Sequence, residues 1–154
     1  MSRYILVSHT TLRKNHDHLD LRFQVPGKTW WISFAIKSEI PTDPGKRIYI
    51  VRTTPHSTGA ALFTGSISKG EYGAGSIKKI EEGNCDVLKF SDAAITVVFH
   101  GRKMVGKYFL INMSIMARYR SAKRKNIYAF FKAKNNNIIE SYIQTLEFNG
   151  KISK

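Results

Sequence analysis

Short segments rich in β-branched and aromatic residues recur along the chain, and glycine, proline or asparagine separates most of them. This rhythm is typical of an all-β fold, because strands of about four to eight residues alternate there with tight turns. Eight such strands suit a barrel or a sandwich. The predicted strands span residues 4–7, 18–25, 29–36, 47–52, 76–80, 94–100, 107–113 and 126–132.

A single domain over residues 1–154 is the expected organisation. The 154 residues, 42% of them hydrophobic, are enough to build one ordinary core. Pro26 and Gly27 predict a tight turn that joins the second and third strands as a hairpin, since proline fixes φ and glycine accepts positive φ. Residues 137–148 carry apolar side chains at helical spacing, which predicts one short C-terminal helix.

The formal net charge of +14 is large for a chain of this size. It favours DNA or RNA as the partner, because cationic surfaces attract polyanions. Residues 93–139 hold ten Lys or Arg and no Asp or Glu, although a basic stretch can also be a merely solvated surface. An anionic membrane is the main competitor, but no lipidation signal, signal peptide or membrane-length apolar run accompanies the charge. We therefore expect a cytoplasmic monomer that binds nucleic acid.

Histidines and aspartates are concentrated near the N-terminus. The segment from His9 to Arg22 holds three of the five histidines and two aspartates. From His18 onward polar and apolar residues alternate, which is the period of a strand and places His18, Asp20 and Arg22 on one face. Steps of about 6.5–7 Å let two side chains share a metal ion while the third reaches an anion. The pattern predicts a metal site for hydrolytic or redox chemistry, with His16 as the spare histidine.

Other features limit this interpretation. A half-buried strand shows polar residues on its wet face without any metal, and that explanation would suffice for an isolated H-x-D pattern. Cys85 is the only cysteine, so an internal disulfide and a cysteine zinc knot are excluded, and any metal must be held by histidine and carboxylate. The loop G-E-Y-G-A-G at residues 70–75 predicts a sharp turn or a close backbone approach. It matches neither a phosphate loop nor a dinucleotide motif.

Several motifs, taken in chain order, resemble one family. They are Y-I-L-V-S-H, H-L-D-L-R, W-W-I-S-F-A-I-K, D-P-G-K-R, P-H, F-T-G, G-E-Y-G-A-G and F-H-G-R-K-M-V-G-K-Y-F-L-I-N-M. Over about residues 3–134 the chain resembles the phosphoesterase domain of bacterial ligase D and its stand-alone relatives. The resemblance implies a compact, closed or nearly closed β-barrel of about eight strands that uses manganese to process the 3′ ends of DNA. Such an enzyme removes a terminal ribonucleoside and then the exposed 3′-phosphate, leaving a hydroxyl for repair.

The resemblance also assigns roles by matching positions. The residues matching metal ligands are His9, His18 and Asp20, and those matching catalytic, phosphate-facing positions are Arg22, Lys37, Arg47 and His56. Two imidazoles and a carboxylate suit Mn²⁺ among other divalent ions. The three cations would neutralise a phosphoryl transition state, and His56 would stabilise that state or protonate the leaving oxygen. His100 looks like part of a family turn and is not assigned to the site.

The spacing between two matched ligands departs from the family pattern. The interval from His9 to His18 is three residues longer than in that pattern. An insertion in the intervening loop is therefore required, and His16 competes with His18 as the ligand.

The region around His56 departs as well. Thr54 and Pro55 replace an acidic pair, and Ala60 replaces a tyrosine. Ser and Lys at positions 68 and 69 stand where the family often has Pro and Glu, which exchanges an acid for a base beside the presumed nucleic-acid surface. These changes bear on substrate preference and on which half of the reaction is kept.

We predict from these observations a metal-dependent 3′-end phosphoesterase acting on primer-template or broken DNA ends, with polymerase and ligase functions supplied by other proteins. Two alternatives stay open. A catalytically impaired nucleic-acid-binding module would fit the missing tyrosine and acids. An H-x-D…H iron oxygenase would use His100 as its third ligand, although the charge is excessive for an enzyme of small molecules.

Overall fold

The computed structural model describes residues 1–71, 74–116 and 126–134. Within these ranges the elements are β1 Ser2–Thr11, β2 His18–Gln24, β3 Trp31–Ile36, β4 Arg47–His56, α1 Thr58–Ala61, β5 Gly65–Ile67, β6 Gly75–Phe90, β7 Ala94–His100, β8 Val105–Asn112, α2 Met113–Met116 and β9 Ile127–Lys132. The helix predicted at 137–148 lies outside the described residues. In the described ranges no helix has the length and apolar character needed to cross a membrane.

Eight strands close into an antiparallel barrel, which confirms the predicted fold class. Neighbouring strands follow the order β1-β2-β3-β4-β9-β8-β7-β6, and β6 pairs back with β1 to close the ring. The short strand β5 pairs with the start of β6 outside this ring. Since side chains alternate along each strand, one set points into the barrel and the other points outward.

Apolar side chains, many of them aromatic, fill the barrel interior. Tyr4 and Phe99 meet edge to face at 5.0 Å between ring centroids, and Phe99 meets Tyr108 at 5.6 Å. Edge-to-face pairs of this kind add stability beyond the area they bury. Cys85 lies in the same interior, and burial raises the pKa of its thiol to about 12, so that it remains a protonated, unreactive thiol.

All eight predicted strands are present, but the prediction for β6 was wrong about its length. It placed the end of the strand at Ile80, whereas β6 continues to Phe90. The cause is that residues 81–84 are mostly polar, so the alternating pattern is interrupted where the strand leaves β1 and pairs with β7. The three-residue strand β5 was not predicted.

Glycine permits two close turns of the backbone. Gly27 has φ of +78° in the turn between β2 and β3, where the Lys28 N–H donates to the Val25 carbonyl at 3.0 Å, as the Pro-Gly pair predicted. Gly75 has φ of +145°, and a Cβ there would lie 1.9 Å from the Thr10 carbonyl oxygen. The predicted close approach at the end of the glycine-rich loop is therefore confirmed at this residue.

The Glu81 carboxylate organises the turn between β7 and β8. It accepts hydrogen bonds from the backbone N–H groups of Arg102 at 2.7 Å, Lys103 at 2.8 Å and Met104 at 3.0 Å. The Tyr4 hydroxyl donates a fourth bond at 2.7 Å. Burial by itself raises the pKa of Glu81, but the hydrogen bonds from these donors outweigh burial and hold it below the ordinary value of 4.5.

We predict that Glu81→Gln lowers the free energy of unfolding at pH 7 by about 2 kcal/mol, since hydrogen bonds to a charged acceptor are the strongest of their kind. Because the folded-state pKa is depressed, the stabilisation is present above the unfolded-state pKa and is lost as the pH falls through the folded-state value. Urea unfolding from pH 7 down to pH 3 should show the two proteins converging below about pH 4.5. A constant difference across that range would contradict the prediction.

A second, smaller apolar layer lies on the outer face of the barrel, over β1. Trp31 Nε1 donates to Thr58 Oγ1 at 3.2 Å, and Ser57 caps α1 by accepting from the Ala60 N–H at 3.3 Å. These contacts hold the segment that contains α1 against the barrel wall. The buried members of the layer are Ile5, Val7, Trp31, Ala61 and Ile77.

Candidate metal centre

Strand pairing brings three candidate ligands to one place on the outer face. His9 of β1 lies directly opposite His18 of β2, and Asp20 is the next residue of β2 on the same face. One possible ligand atom from each of the three lies within 4.8 Å of the others. The Asp20 carboxylate oxygens lie 3.7 Å from His9 Nδ1 and 3.3 Å from His18 Nε2. The two predicted histidine ligands and the carboxylate are therefore brought together.

This polar face is largely shielded from water, whereas the polar face of a half-buried strand is ordinarily exposed to solvent. His9 is 8% exposed, Asp20 5% and Arg22 4%. The apolar residues that alternate with them, such as Leu21 and Phe23, fill the barrel interior. The end of α1 contacts the polar side through Arg22, and both faces of β2 are buried from Asp20 to Phe23.

The orientation of His18 is fixed by the backbone. Its Nδ1 lies 2.7 Å from the His16 carbonyl oxygen, which can only accept, so Nδ1 carries the proton and Nε2 presents a lone pair. Metal-binding histidines are commonly held by such a bond on the other ring nitrogen. When the ring takes up a second proton, Nε2–H donates to Asp20; this hydrogen bond raises the pKa of His18, while burial opposes that shift. His16 has an exposed side chain and takes part here through its carbonyl oxygen.

Arg22 holds the carboxylate from the other side. Its Nη2 donates to Asp20 Oδ2 at 3.1 Å, and its Nη1 donates to the carbonyl oxygens of Ala61 at 3.0 Å and Ala60 at 3.4 Å. Burial lowers the pKa of Arg22, the Asp20 charge opposes that shift, and a guanidinium stays charged at neutral pH. Arg22 thus ties the end of α1 to the candidate ligand.

His56 reaches the same region from the end of β4, where it lies opposite Trp31. It is half-buried, and burial followed by the charge of Arg22 lowers its pKa, so the ring is neutral at pH 7. Its Nδ1 is buried without a hydrogen-bond partner in the described part of the chain. Ala60, at the position where the family tyrosine is expected, is exposed and has its carbonyl beside Arg22.

The two remaining predicted cations lie at different distances from this cluster. Lys37 follows β3 directly and is exposed, and its charge is close enough to oppose protonation of His18. Arg47 points outward from β4, and its guanidinium lies over the Phe131 ring at 4.7 Å from the centroid. The structure therefore places Lys37 beside the candidate ligands and Arg47 over an aromatic ring of β9.

Sequence reasoning missed Ser33, which lies opposite Arg22 in the β2–β3 pairing. Its side chain is 1% exposed, and neither its hydroxyl nor Arg22 Nε has a hydrogen-bond partner among the described residues. Buried polar atoms in native proteins nearly always have a partner, so these atoms mark a place suited to a polar ligand. The sequence did offer one indication of Ser33. It is the single polar residue in the apolar run W-W-I-S-F-A-I, at a position whose side chain points out of the barrel.

His100, which an iron oxygenase centre would require, lies elsewhere. Its Nε2 makes a 2.8 Å contact with Asp86 Oδ2, between β7 and β6. Among the described residues the cluster able to hold a metal consists of His9, His18 and Asp20. The H-x-D…H arrangement is therefore not assembled.

The chain is similar to known proteins of one family. Residues 9–112 match the model of the DNA Ligase D 3′-phosphoesterase domain. The multifunctional non-homologous end joining protein LigD of Mycolicibacterium smegmatis is 32% identical over 120 residues, which cover 71% of this chain and 15% of that protein. The LigD protein of Mycobacterium tuberculosis strain H37Rv is 28% identical over 121 residues, which cover 73% of this chain and 16% of that protein. The chain belongs to the DNA ligase D 3′-phosphoesterase domain family.

Proposed function

We propose that this protein is a Mn²⁺-dependent phosphoesterase that removes a 3′-terminal ribonucleoside, a 3′-phosphate, or both from DNA ends, leaving a 3′-hydroxyl. The observation that carries the proposal is the convergence of His9, His18 and Asp20 within 4.8 Å, with Arg22 bonded to the carboxylate. The product end is the one that a polymerase extends or a ligase seals. The substrate is therefore a primer-template or a broken duplex.

The donor set fits a divalent cation. It combines two imidazole nitrogens with one carboxylate, it includes no thiolate, and its His18 nitrogen is already oriented by a carbonyl. Nitrogen and oxygen donors suit Mn²⁺, and three protein ligands leave positions open for water and substrate. A cation bound there would supply a Lewis acid and a more acidic water.

The surrounding side chains would bind and stabilise the phosphoryl group. Arg22 is fixed by Asp20 and by two carbonyls, so its charge needs no reorganisation when negative charge develops nearby. Lys37 is exposed beside His18 and can reach a phosphate oxygen. His56 is neutral, which favours a role as a hydrogen-bond donor to the transition state over a role as a proton donor. Arg47, stacked on Phe131, would contact the nucleic acid away from the reacting phosphorus.

The replacement of tyrosine by Ala60 supports a second candidate, a nucleic-acid-binding module with impaired catalysis. Ala60 is exposed next to Arg22 and offers no side-chain donor to a phosphate. Such a module would keep salt-sensitive DNA binding but release no product. The same assay separates the two candidates.

The test uses 5′-labelled primer-templates that end in a 3′-phosphate or in a single ribonucleotide, with Mn²⁺ or with chelator. We expect conversion to a 3′-hydroxyl end with Mn²⁺, and loss of conversion in chelator and in His9→Ala. His100→Ala is the matched control, because this histidine is bonded to Asp86 outside the cluster and should leave the rate unchanged. Conversion that is equally fast in chelator, or none with Mn²⁺, would refute the proposal.

Ser33→Ala is predicted to raise stability while it lowers activity. The buried hydroxyl has no partner among the described residues, so its removal should raise the free energy of unfolding by about 1 kcal/mol. If a substrate oxygen satisfies that hydroxyl, the rate should fall severalfold, which is the usual exchange of stability for function at a site. Thermal melts and rates measured on the same preparation check both parts. A less stable variant would show that the hydroxyl serves the fold.

A further inference from the structure

A band of aromatic and apolar side chains lies on the outer face of β4, β9 and β8, exposed on β4 and half-buried on the other two strands. Tyr49 is 58% exposed and Val51 46%, both pointing outward from β4. Phe131 of β9 and Phe109 of β8 continue the band, with their ring centroids 5.5 Å apart. We call these four residues the aromatic shelf.

Cations accompany the rings of the shelf. The Arg47 guanidinium lies 4.7 Å from the centroid of Phe131, and Lys107 Nζ lies 5.4 Å from that of Phe109. Rings interleaved with cations are the arrangement with which proteins bind single-stranded nucleic acid, because bases stack on the rings while the cations meet phosphates. A face that binds an apolar peptide or a second copy of the chain has no need of this alternation.

The distribution of charge on this side of the barrel also favours nucleic acid as the ligand. The five adjacent strands β3, β4, β9, β8 and β7 contain no Asp or Glu. The acids of the barrel wall, apart from Asp20, lie on β6 at the other side: Glu81, Glu82 and Asp86. An incoming polyanion therefore meets only positive or neutral side chains on the strands of the shelf.

Val51 is the member of the shelf nearest to the candidate metal centre. In the strand register Asp20 lies opposite Ala35, and Ala35 lies opposite Val51. Two strand spacings, about 10 Å, thus separate the backbone of Asp20 from that of Val51. Phe131 and Phe109 lie further round the barrel, on the third and fourth strands from β2. The span from Asp20 to Val51 is about three nucleotides of a stacked strand, which rises about 3.4 Å per nucleotide.

We propose that the aromatic shelf stacks unpaired nucleobases next to the end that is processed, with Tyr49 as its principal platform. The proposal rests on the proposed function for the identity of the polymer. Bases in a duplex are already stacked on each other, so the shelf favours an end with a single-stranded segment over a blunt end. Lys107 and Arg47 contact the phosphates of that segment.

The experiment measures binding in chelator, so that no turnover is involved. Fluorescence anisotropy compares a duplex carrying a single-stranded tail with a blunt duplex of equal length. We expect Tyr49→Ala to weaken binding of the tailed duplex about tenfold and to leave the blunt duplex unchanged. Tyr49→Phe, which keeps the ring, should bind as the unmodified protein does. Leu88→Ala is the matched control, because Leu88 is 59% exposed on β6, away from the shelf.

The salt dependence separates stacking from charge. Tyr49→Ala removes no charge and should keep the slope of log affinity against log salt, whereas Lys107→Ala should reduce that slope by about 0.7. The stacking proposal would be refuted if Tyr49→Ala weakened binding of tailed and blunt DNA equally, or if it weakened neither. An inactive enzyme that still shows the Tyr49 effect would instead refute the proposed function and leave the shelf intact.

Discussion

Replacing Asp20 with Asn is expected to lower the phosphoesterase rate by about a thousandfold or more, since a metal ion contributes several kcal/mol to a phosphoryl transition state. Asp20 lies between two imidazoles and a guanidinium, so the amide removes the one anionic donor of the cluster. Mn²⁺ affinity should fall in parallel. The loss of the free-ion signal in electron paramagnetic resonance reports that affinity without any need for turnover.

The substitution also leaves Arg22 buried without its counter-ion, which can destabilise the fold by about 3–5 kcal/mol. A second variant therefore separates lost ligation from lost folding. His18→Gln keeps the Asp20–Arg22 pair, changes a half-buried residue and should still lose Mn²⁺ and activity. If both variants are folded and bind Mn²⁺ as tightly as the unmodified protein, the cluster is not the metal site.

Replacing Arg22 with Lys is expected to lower kcat/KM about a hundredfold and the free energy of unfolding by about 2 kcal/mol. The guanidinium makes two kinds of contact at once, to the carboxylate of Asp20 and to the carbonyls at the end of α1. The single ammonium group of lysine cannot make both sets of contacts at once. We therefore expect both a misplaced ligand and a loosened α1 segment.

Hydrogen exchange should show that loosening directly, as faster exchange of the amides of residues 60–62. Arg3→Lys is the matched control, because Arg3 is an exposed arginine paired with Glu82 on the same outer face. That variant should keep the rate and the exchange pattern. An Arg22→Lys protein with the normal rate would show that charge alone, without both sets of contacts, is sufficient.

The fold class was accessible from the sequence because strand periodicity and turn chemistry are local properties. Leu21 and Phe23 alternate with Asp20 and Arg22, and this alternation decides which side of β2 enters the barrel. Strand periodicity did not predict the full length of β6. Its middle is polar where Glu81 bonds the turn at 102–104, a contact between residues more than twenty positions apart.

Part of the candidate site could also be predicted from the sequence, and part could not. His9, His18 and Asp20 could be chosen from residue type, spacing and family resemblance, and the register of β1 against β2 brings them together. Their burial could not be foreseen, because it depends on the packing of α1 over the outer wall. The position of Arg47 over Phe131 depends on β4 meeting β9, a pairing between segments about eighty residues apart.

The sequence by itself determined the all-β class, the polar row on β2 and the excess of positive charge, since each is a property of residue type and short-range spacing. Only the tertiary structure decided that Arg22 bonds the end of α1, that Ser33 lies opposite Arg22 and that Val51 lies two strands from the candidate ligand Asp20. The physical reason is that barrel closure juxtaposes strands distant in sequence. Contacts across such pairings follow from the packing of the whole chain and leave no local pattern.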